Sequence, residues 1–256
     1  MVGLVVTIGQ QDKVVHLWLR RSRHGNALDP KTVVRLHGEL SDAESNPECL
    51  AVVIRAEGSN FCAGADVKAG MELMHNPEQL LCFFADGRRL MERLVKSRLV
   101  SIAVVQGLAA AGGLELATAV DIVIATDTAL FADRHATYGF LPAFGATALL
   151  PIRVGNNVAR NLLLGKQELN VSTAKSVGLV HRCCSPDEVD QVVEQEISRL
   201  KSIGSDALSS MKNLINVLAP VSFEKEALAV RQFCEAGGYE PSQFTERGEL
   251  GQDSGR

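Results

Sequence analysis

Two stretches decide the reading of this chain: Gly58-Ser59-Asn60-Phe61-Cys62-Ala63-Gly64-Ala65-Asp66 and Gly107-Leu108-Ala109-Ala110-Ala111-Gly112-Gly113-Leu114-Glu115. Each follows an apolar, β-branched run, LAVVIRA at 50–56 before the first and SIAVVQ at 101–106 before the second. A strand that runs into Gly and Ala offers backbone N–H groups with no bulky side chain in the way. Two such junctions can converge on one oxygen atom, which is the arrangement of an oxyanion hole. Neither stretch is a phosphate loop or a dinucleotide loop, because no Gly-Lys-Ser/Thr follows and the GxGxxG spacing is absent.

Working outward, VVTI at 5–8 and VVHLWL at 14–19 read as strands, followed by a helix from Pro30 to Ser45. A second helix is expected from Pro77 to Lys96, a small-residue helix from Gly112, and a strand in DIVIAT at 121–126. Strands and helices alternate in this way up to residue 188, so the expected fold class is α/β. From Val189 onward only helices are expected. Their apolar stripes are Val192, Val193, Ile197 and Leu200; then Ala207, Met211, Leu214, Ile215 and Leu218; then Phe223, Ala227, Val230 and Phe233. The organisation read from this is a core over 1–188, a helical region over 189–244 and a frayed polar tail over 245–256.

Composition narrows the function classes. The chain has 256 residues, 46% hydrophobic and only 5% aromatic, enough for one large domain and incompatible with disorder. Small residues are concentrated locally, with 13 of 28 alanines between residues 101 and 150. A net charge of −4 without a basic run argues against nucleic acid as a partner. Six cysteines without CxxC spacing read as buried reduced thiols rather than a metal or disulfide framework, so no metal is expected. The uncharged stretch 99–114 is too short and too interrupted to span a bilayer, and the N-terminus reads as a strand rather than a signal peptide. The expected location is the cytoplasm. Glu115 lies three residues after Gly112 with apolar neighbours on both sides, so it is either a surface carboxylate at a helix N-terminus or a buried acid/base.

Four groupings stand in one order along the chain: Arg21 with Asn26-Ala27-Leu28, then Phe61-Cys62-Ala63-Gly64-Ala65-Asp66-Val67-Lys68, then Gly112-Gly113-Leu114-Glu115-Leu116 with Asp121-Ile122, then Phe131 through Leu141-Pro142 to Arg153-Val154-Gly155. In these residues, in family order from about residue 4 to 235, the chain resembles the crotonase, or enoyl-CoA hydratase/isomerase, superfamily. The resemblance implies a spiral of ββα repeats with a C-terminal helical region that assembles trimers, often paired as hexamers. It implies an enzyme acting on an acyl-CoA or acyl-carrier-protein thioester, with no cofactor beyond the carrier. The backbone N–H groups of Ala65 and Gly112 would hold the thioester oxygen, Glu115 would be a catalytic acid/base, and Ala63, Asp66, Lys68, Gly113, Tyr138 and Phe140 would contact substrate.

The family's second catalytic glutamate is replaced by His135, in Phe131-Ala132-Asp133-Arg134-His135. A histidine can carry the same proton near neutral pH, with Asp133 orienting it or reaching the site itself; the alternative reading is a structural or substrate-shaping His135, which would count against two-carboxylate water addition. Ser22 stands where relatives have Pro, and the Pro142-Ala143-Phe144-Gly145-Ala146 turn is bulkier than the family's glycine-rich one. Relatives use a basic C-terminal segment to hold the coenzyme-A nucleotide. Here that segment reads Glu246-Arg247-Gly248-Glu249-Leu250, which leaves Lys68 and Arg23 either as phosphate contacts or as solvated surface charges, the second reading being favoured for Arg23. Three functions are therefore carried forward: a hydratase or dehydratase of enoyl thioesters, a decarboxylase or isomerase of the polyketide β-branching type, and a non-catalytic acyl-CoA-binding homologue.

Overall fold

A computed structural model of the chain describes residues 4–9, as backbone, and 13–244. The tail reading over 245–256 and the substituted segment Glu246–Leu250 lie outside the described residues. Strands β1 (Leu4–Gly9) and β2 (Val14–Leu19) lead into α1 (Pro30–Ser45). Strand β3 (Ala51–Ala56) leads into α2 (Val67–Met74) and α3 (Pro77–Lys96). Then β4 (Val100–Val105) and β5 (Leu108–Ala110) lead into α4 (Gly112–Ala119). Next, β6 (Ile122–Thr126) and β7 (Leu130–Ala132) lead into α5 (His135–Tyr138), α6 (Ala146–Val154) and α7 (Asn156–Leu163). After β8 (Glu168–Asn170), α8 (Val171–Ser176) and β9 (Arg182–Cys184), the chain ends in α9 (Val189–Ile203), α10 (Ser205–Leu218) and α11 (Glu224–Glu235).

The larger sheet runs β1-β2-β3-β4-β6-β9, with β1 antiparallel to β2 and every other pair parallel. The smaller sheet runs β5-β7-β8. The repeats β4-β5-α4 and β6-β7-α5 each place their first strand in the larger sheet and their second in the smaller, whereas β1 and β2 both lie in the larger. Central strands are apolar on both faces because helices cover both sides. On β3, Val52 and Ile54 face the core beneath α1 and α3, while Ala51 and Val53 face a second core closed by Val193, Ile197 and Leu200 of α9.

The helix boundaries at Pro30 and Pro77 are set by chemistry legible in the sequence. Asp29 accepts the Thr32 N–H at 2.7 Å and Asn76 that of Gln79 at 3.2 Å, each with Pro at the first helical position. The stripe expected on α10 is present and faces outward: Met211, Leu214, Ile215 and Leu218 are exposed, and Leu208 and Lys212 are the buried residues. Lys212 is drawn inward because its ammonium donates to the carbonyls of Leu94 and Leu99 and to Asp121, using all three of its protons. One expectation needs correction: Cys82 and Cys183 are exposed, while Cys49, Cys62, Cys184 and Cys234 are buried thiols.

Candidate active site

The two glycine-rich turns are stitched together by backbone and side-chain bonds. Cys62 N donates to Leu108 O (3.1 Å), Ala110 N to Cys62 O (2.9 Å) and Leu108 N to the Asn60 side chain (3.0 Å). Gly107 and Gly113 are required by this contact, since a Cβ would fall 2.0 Å from Ser59 O at the first and 2.1 Å from Cys62 O at the second. Beyond the seam, Gly64 packs on the first turn of α4, where a Cβ on it would lie 3.2 Å from Gly112 N. A Cβ on Gly112 would lie 3.4 Å from Ala65 N, so the two amides are neighbours. Leu28 N, Asp66 N, Ala111 N and Glu115 N all have backbone acceptors, whereas Ala65 N and Gly112 N donate to none among the described residues. The turn into α4 is strained at Ala111, with φ 46° and ψ −117°, a departure worth about 1–3 kcal/mol and held by the Ala111 N to Ala132 O bond. That strain places the Gly112 N–H at a helix N-terminus, where partial positive charge accumulates.

Every residue of α4 is buried, including Glu115, which is 1% exposed. Its Oε1 accepts N–H bonds from Phe144 (2.9 Å) and Ala146 (3.0 Å), at the start of α6. Its Oε2 is left facing His135 Nε2 at 3.9 Å. Burial pushes the Glu115 carboxyl up to about 7, with the charge of Glu226 adding to it and His135 and the two N–H bonds opposing it. His135 sits at the start of α5, with its Nδ1 2.6 Å from Asp133 Oδ1 and its N–H donating to Asp133 Oδ2 at 3.1 Å. Burial disfavours the imidazolium, but the Asp133 bond and the charges of Glu115, Asp133 and Glu226 together outweigh it and raise the His135 pKa above the usual value. Asp133, buried and bonded among the described residues only to His135, orients the ring; it does not line the cavity.

A narrow cavity of about 70 Å³ joins these groups, with Ala65, Asp66, Gly112, Glu115 and His135 in its lining. Phe83, Phe84, Phe140, Phe144, Tyr239 and Phe244 line it elsewhere, in an aromatic cluster whose Phe140–Tyr239 ring centroids are 5.3 Å apart. Asp66 caps α2 through Ala69 N (3.1 Å) and pairs with Arg21 at 2.7 Å; these contacts outweigh its burial and lower its carboxyl pKa. Of the other expected substrate contacts, Phe140 lines the cavity and Tyr138 stacks on it with centroids 6.1 Å apart. Ala63 and Lys68 are exposed and Gly113 packs against Cys62, so none of the three borders the cavity; Arg23 is likewise exposed. Among the described residues no group of three or more His, Cys, Asp or Glu side chains could hold a metal ion, and no helix is long and apolar enough to cross a membrane.

Motif reading missed the Phe144 and Ala146 N–H groups, Tyr239 and Glu226. The first two act through the backbone, which carries no sequence signature. Glu226 did leave a signal, a carboxylate inside the apolar stripe Phe223, Ala227 and Val230.

A model of the enoyl-CoA hydratase/isomerase family matches residues 9–233. A short-chain-enoyl-CoA hydratase of Clostridium acetobutylicum is 29% identical over 229 residues, covering 87% of each chain. An ethylmalonyl-CoA decarboxylase of Mus musculus is 26% identical over 193 residues, 75% of this chain and 60% of that one. Among solved structures, an enoyl-CoA hydratase from Mycobacterium avium subsp. paratuberculosis superimposes with a TM-score of 0.85 at 26% identity, covering 96% of this chain and 98% of that one.

Proposed function

Because the chain belongs to the enoyl-CoA hydratase/isomerase family, we propose that it adds water to, or removes it from, an acyl thioester through the buried Glu115 and the half-buried His135. The observation that carries this reading is the free Glu115 Oε2 facing His135 Nε2 at 3.9 Å, beside the unpaired N–H groups of Ala65 and Gly112. That separation is too long for a hydrogen bond. It leaves room for a substrate oxygen at the apex of a triangle with two arms of ~2.8 Å.

In the hydration direction, Glu115 Oε2 takes a proton from water as its oxygen bonds to the β-carbon. The π electrons move onto the thioester oxygen, which the N–H groups of Ala65 and Gly112 hold as an enolate; one such donor is worth about 3 kcal/mol. The His135 imidazolium then gives its Nε2 proton to the α-carbon. Return of the Glu115 proton to His135 resets the pair, and dehydration runs the same steps backwards. A carboxyl at about 7 beside a raised imidazolium keeps one base and one acid available near neutrality, worth ~10²–10⁴ in rate. The chemistry needs no group beyond the coenzyme A or carrier-protein phosphopantetheine of the substrate.

The similarity to a decarboxylase supports a second reading, in which the same N–H pair holds the enolate left by CO₂ loss and His135 reprotonates it. A buried anionic Glu115 repels the carboxylate such a substrate would bring, which favours hydration. Water addition to crotonyl-CoA, measured against CO₂ release from a glutaconyl thioester, separates the two. Turnover in the first assay and none in the second supports hydration; the reverse overturns it. Binding without turnover across acyl-CoA thioesters would instead point to the non-catalytic homologue. The outward apolar face of α10 is the surface we assign to assembly into trimers or hexamers, and sedimentation at the monomer mass would contradict it.

A further inference from the structure

The hydration chemistry above leaves the buried carboxylate of Glu226 without a role. It lies on α11 at 6% exposure, and its Oε2 accepts from the Thr147 N–H at 2.9 Å and from the Thr147 hydroxyl. Its Oε1 is buried with no hydrogen-bond partner among the described residues. A carboxylate removed from water for one threonine is a costly way to pack a helix, since apolar residues do it without desolvating a charge. Its position suggests what it is for. Thr147 directly follows the turn whose Phe144 and Ala146 N–H groups grip Glu115 Oε1. The same turn is pinned from α11 by Phe223, whose ring would stand 2.5 Å from a Cβ on Gly145. On the other side the Phe144 ring fills the notch left by Gly87 of α3, where a Cβ would meet it at 2.2 Å.

We propose that Glu226 is a positioning residue for proton transfer: through Thr147 it fixes the first turn of α6, so that Phe144 and Ala146 lock Glu115 Oε1 and leave Oε2 aimed at His135. This rests on the reading of Glu115 as acid/base. Two carboxylates thus share one helix N-terminus, Glu115 through Ala146 and Glu226 through Thr147, and each disfavours the charge of the other. Glu115 is otherwise faced by His135 with Asp133 behind it, by Cys62 and by Tyr239. Glu226 is faced by His135, by Tyr239 and by Arg88 of α3, which has Arg89, Glu92 and Arg231 around it.

The test compares Glu226→Gln and Glu226→Ala in the full chain. The amide oxygen of Gln can still accept both Thr147 bonds, so kcat should stay within ~3-fold of the parent. With the charge gone, the low-pH limb of kcat/KM should move to lower pH. Ala releases the turn, and kcat should fall ~10–100-fold with KM little changed. Carbon-13 NMR of the Glu115 carboxyl, assigned against Glu115→Gln, reads its titration midpoint without turnover; both Glu226 variants should lower it. A folded Glu226→Ala with parental kcat and parental Glu115 titration overturns the proposal. So do equal losses in both variants with the Glu115 midpoint unmoved. If Glu226→Ala does not fold, Thr147→Val should still cost several-fold in kcat, and parental kcat there overturns it. Should the parent turn over no thioester, the hydration reading fails, and the NMR titration still decides the role of Glu226.

Discussion

Replacing Glu115 by Gln removes one ionisable oxygen and keeps nearly every packing contact. The amide oxygen can still accept from Phe144 and Ala146, so the side chain stays where α6 holds it. The base that faces His135 is lost, and a general acid/base worth ~10³ in rate corresponds to about 4 kcal/mol of barrier. Stability should move the other way. Folding raises the Glu115 carboxyl from 4.5 to about 7, so the folded chain holds this proton at pH values where the unfolded chain has released it. That favours the folded state below pH 4.5, and the advantage drains away as pH rises to about 7, a total of about 3 kcal/mol at 1.36 kcal/mol per unit. Gln carries no such penalty. Glu115→Gln should match the parent in stability near pH 4 and exceed it by about 2–3 kcal/mol at pH 8. Denaturant unfolding at both pH values, alongside kcat on crotonyl-CoA, measures both quantities. A variant within tenfold of parental kcat, or a stability gap that does not grow with pH, would refute the reasoning.

Three further outcomes follow from the site. Asp133→Asn should lower the His135 pKa, because the carboxylate that outweighs burial is gone; the high-pH limb of kcat/KM then moves to lower pH, and an unmoved limb denies His135 its role as acid. Gly64→Ala should cost ~10² in kcat by displacing the Gly112 N–H, since the new Cβ meets Ala111 Cβ at 2.9 Å and Gly112 N at 3.2 Å on a backbone with φ +108°. Steady-state kinetics with a circular-dichroism check on folding reads this, and parental kcat would remove Gly112 N–H from the reaction. Tyr239→Ala should widen the cavity and shift kcat/KM toward longer acyl chains by ~10-fold or more per accommodated methylene. A chain-length series of thioesters that shows no shift would place the acyl group elsewhere.

How much of this was legible in the sequence depended on range. Helix α1 begins at Pro30 and α3 at Pro77, as caps and periodicity indicate, because Asp29 and Asn76 satisfy the first N–H groups locally. The Gly/Ala turns betray themselves because only glycine fits at 107 and 113, where a Cβ would fall 2.0–2.1 Å from a carbonyl oxygen. The short elements α5 to α8 were not legible, since pieces of four to nine residues carry too little periodicity and are held by tertiary contact. On α10 the periodic stripe was real but faces outward, because a helical pattern reports an apolar face without saying what covers it. At the site, Glu115 and His135 were legible from their positions. The N–H groups that grip Glu115 were not, because any residue at 144 and 146 except Pro supplies the same donor.

The central claim is that Glu115 takes a proton from the attacking water and His135 gives one to the thioester α-carbon while Ala65 and Gly112 hold the enolate oxygen. Proton NMR of crotonyl-CoA turnover in D₂O tests it most directly. The expected result is a 3-hydroxy thioester carrying one deuterium at the α-carbon, formed at a rate that Glu115→Gln abolishes; no turnover, or product with only protium at that carbon, would contradict it.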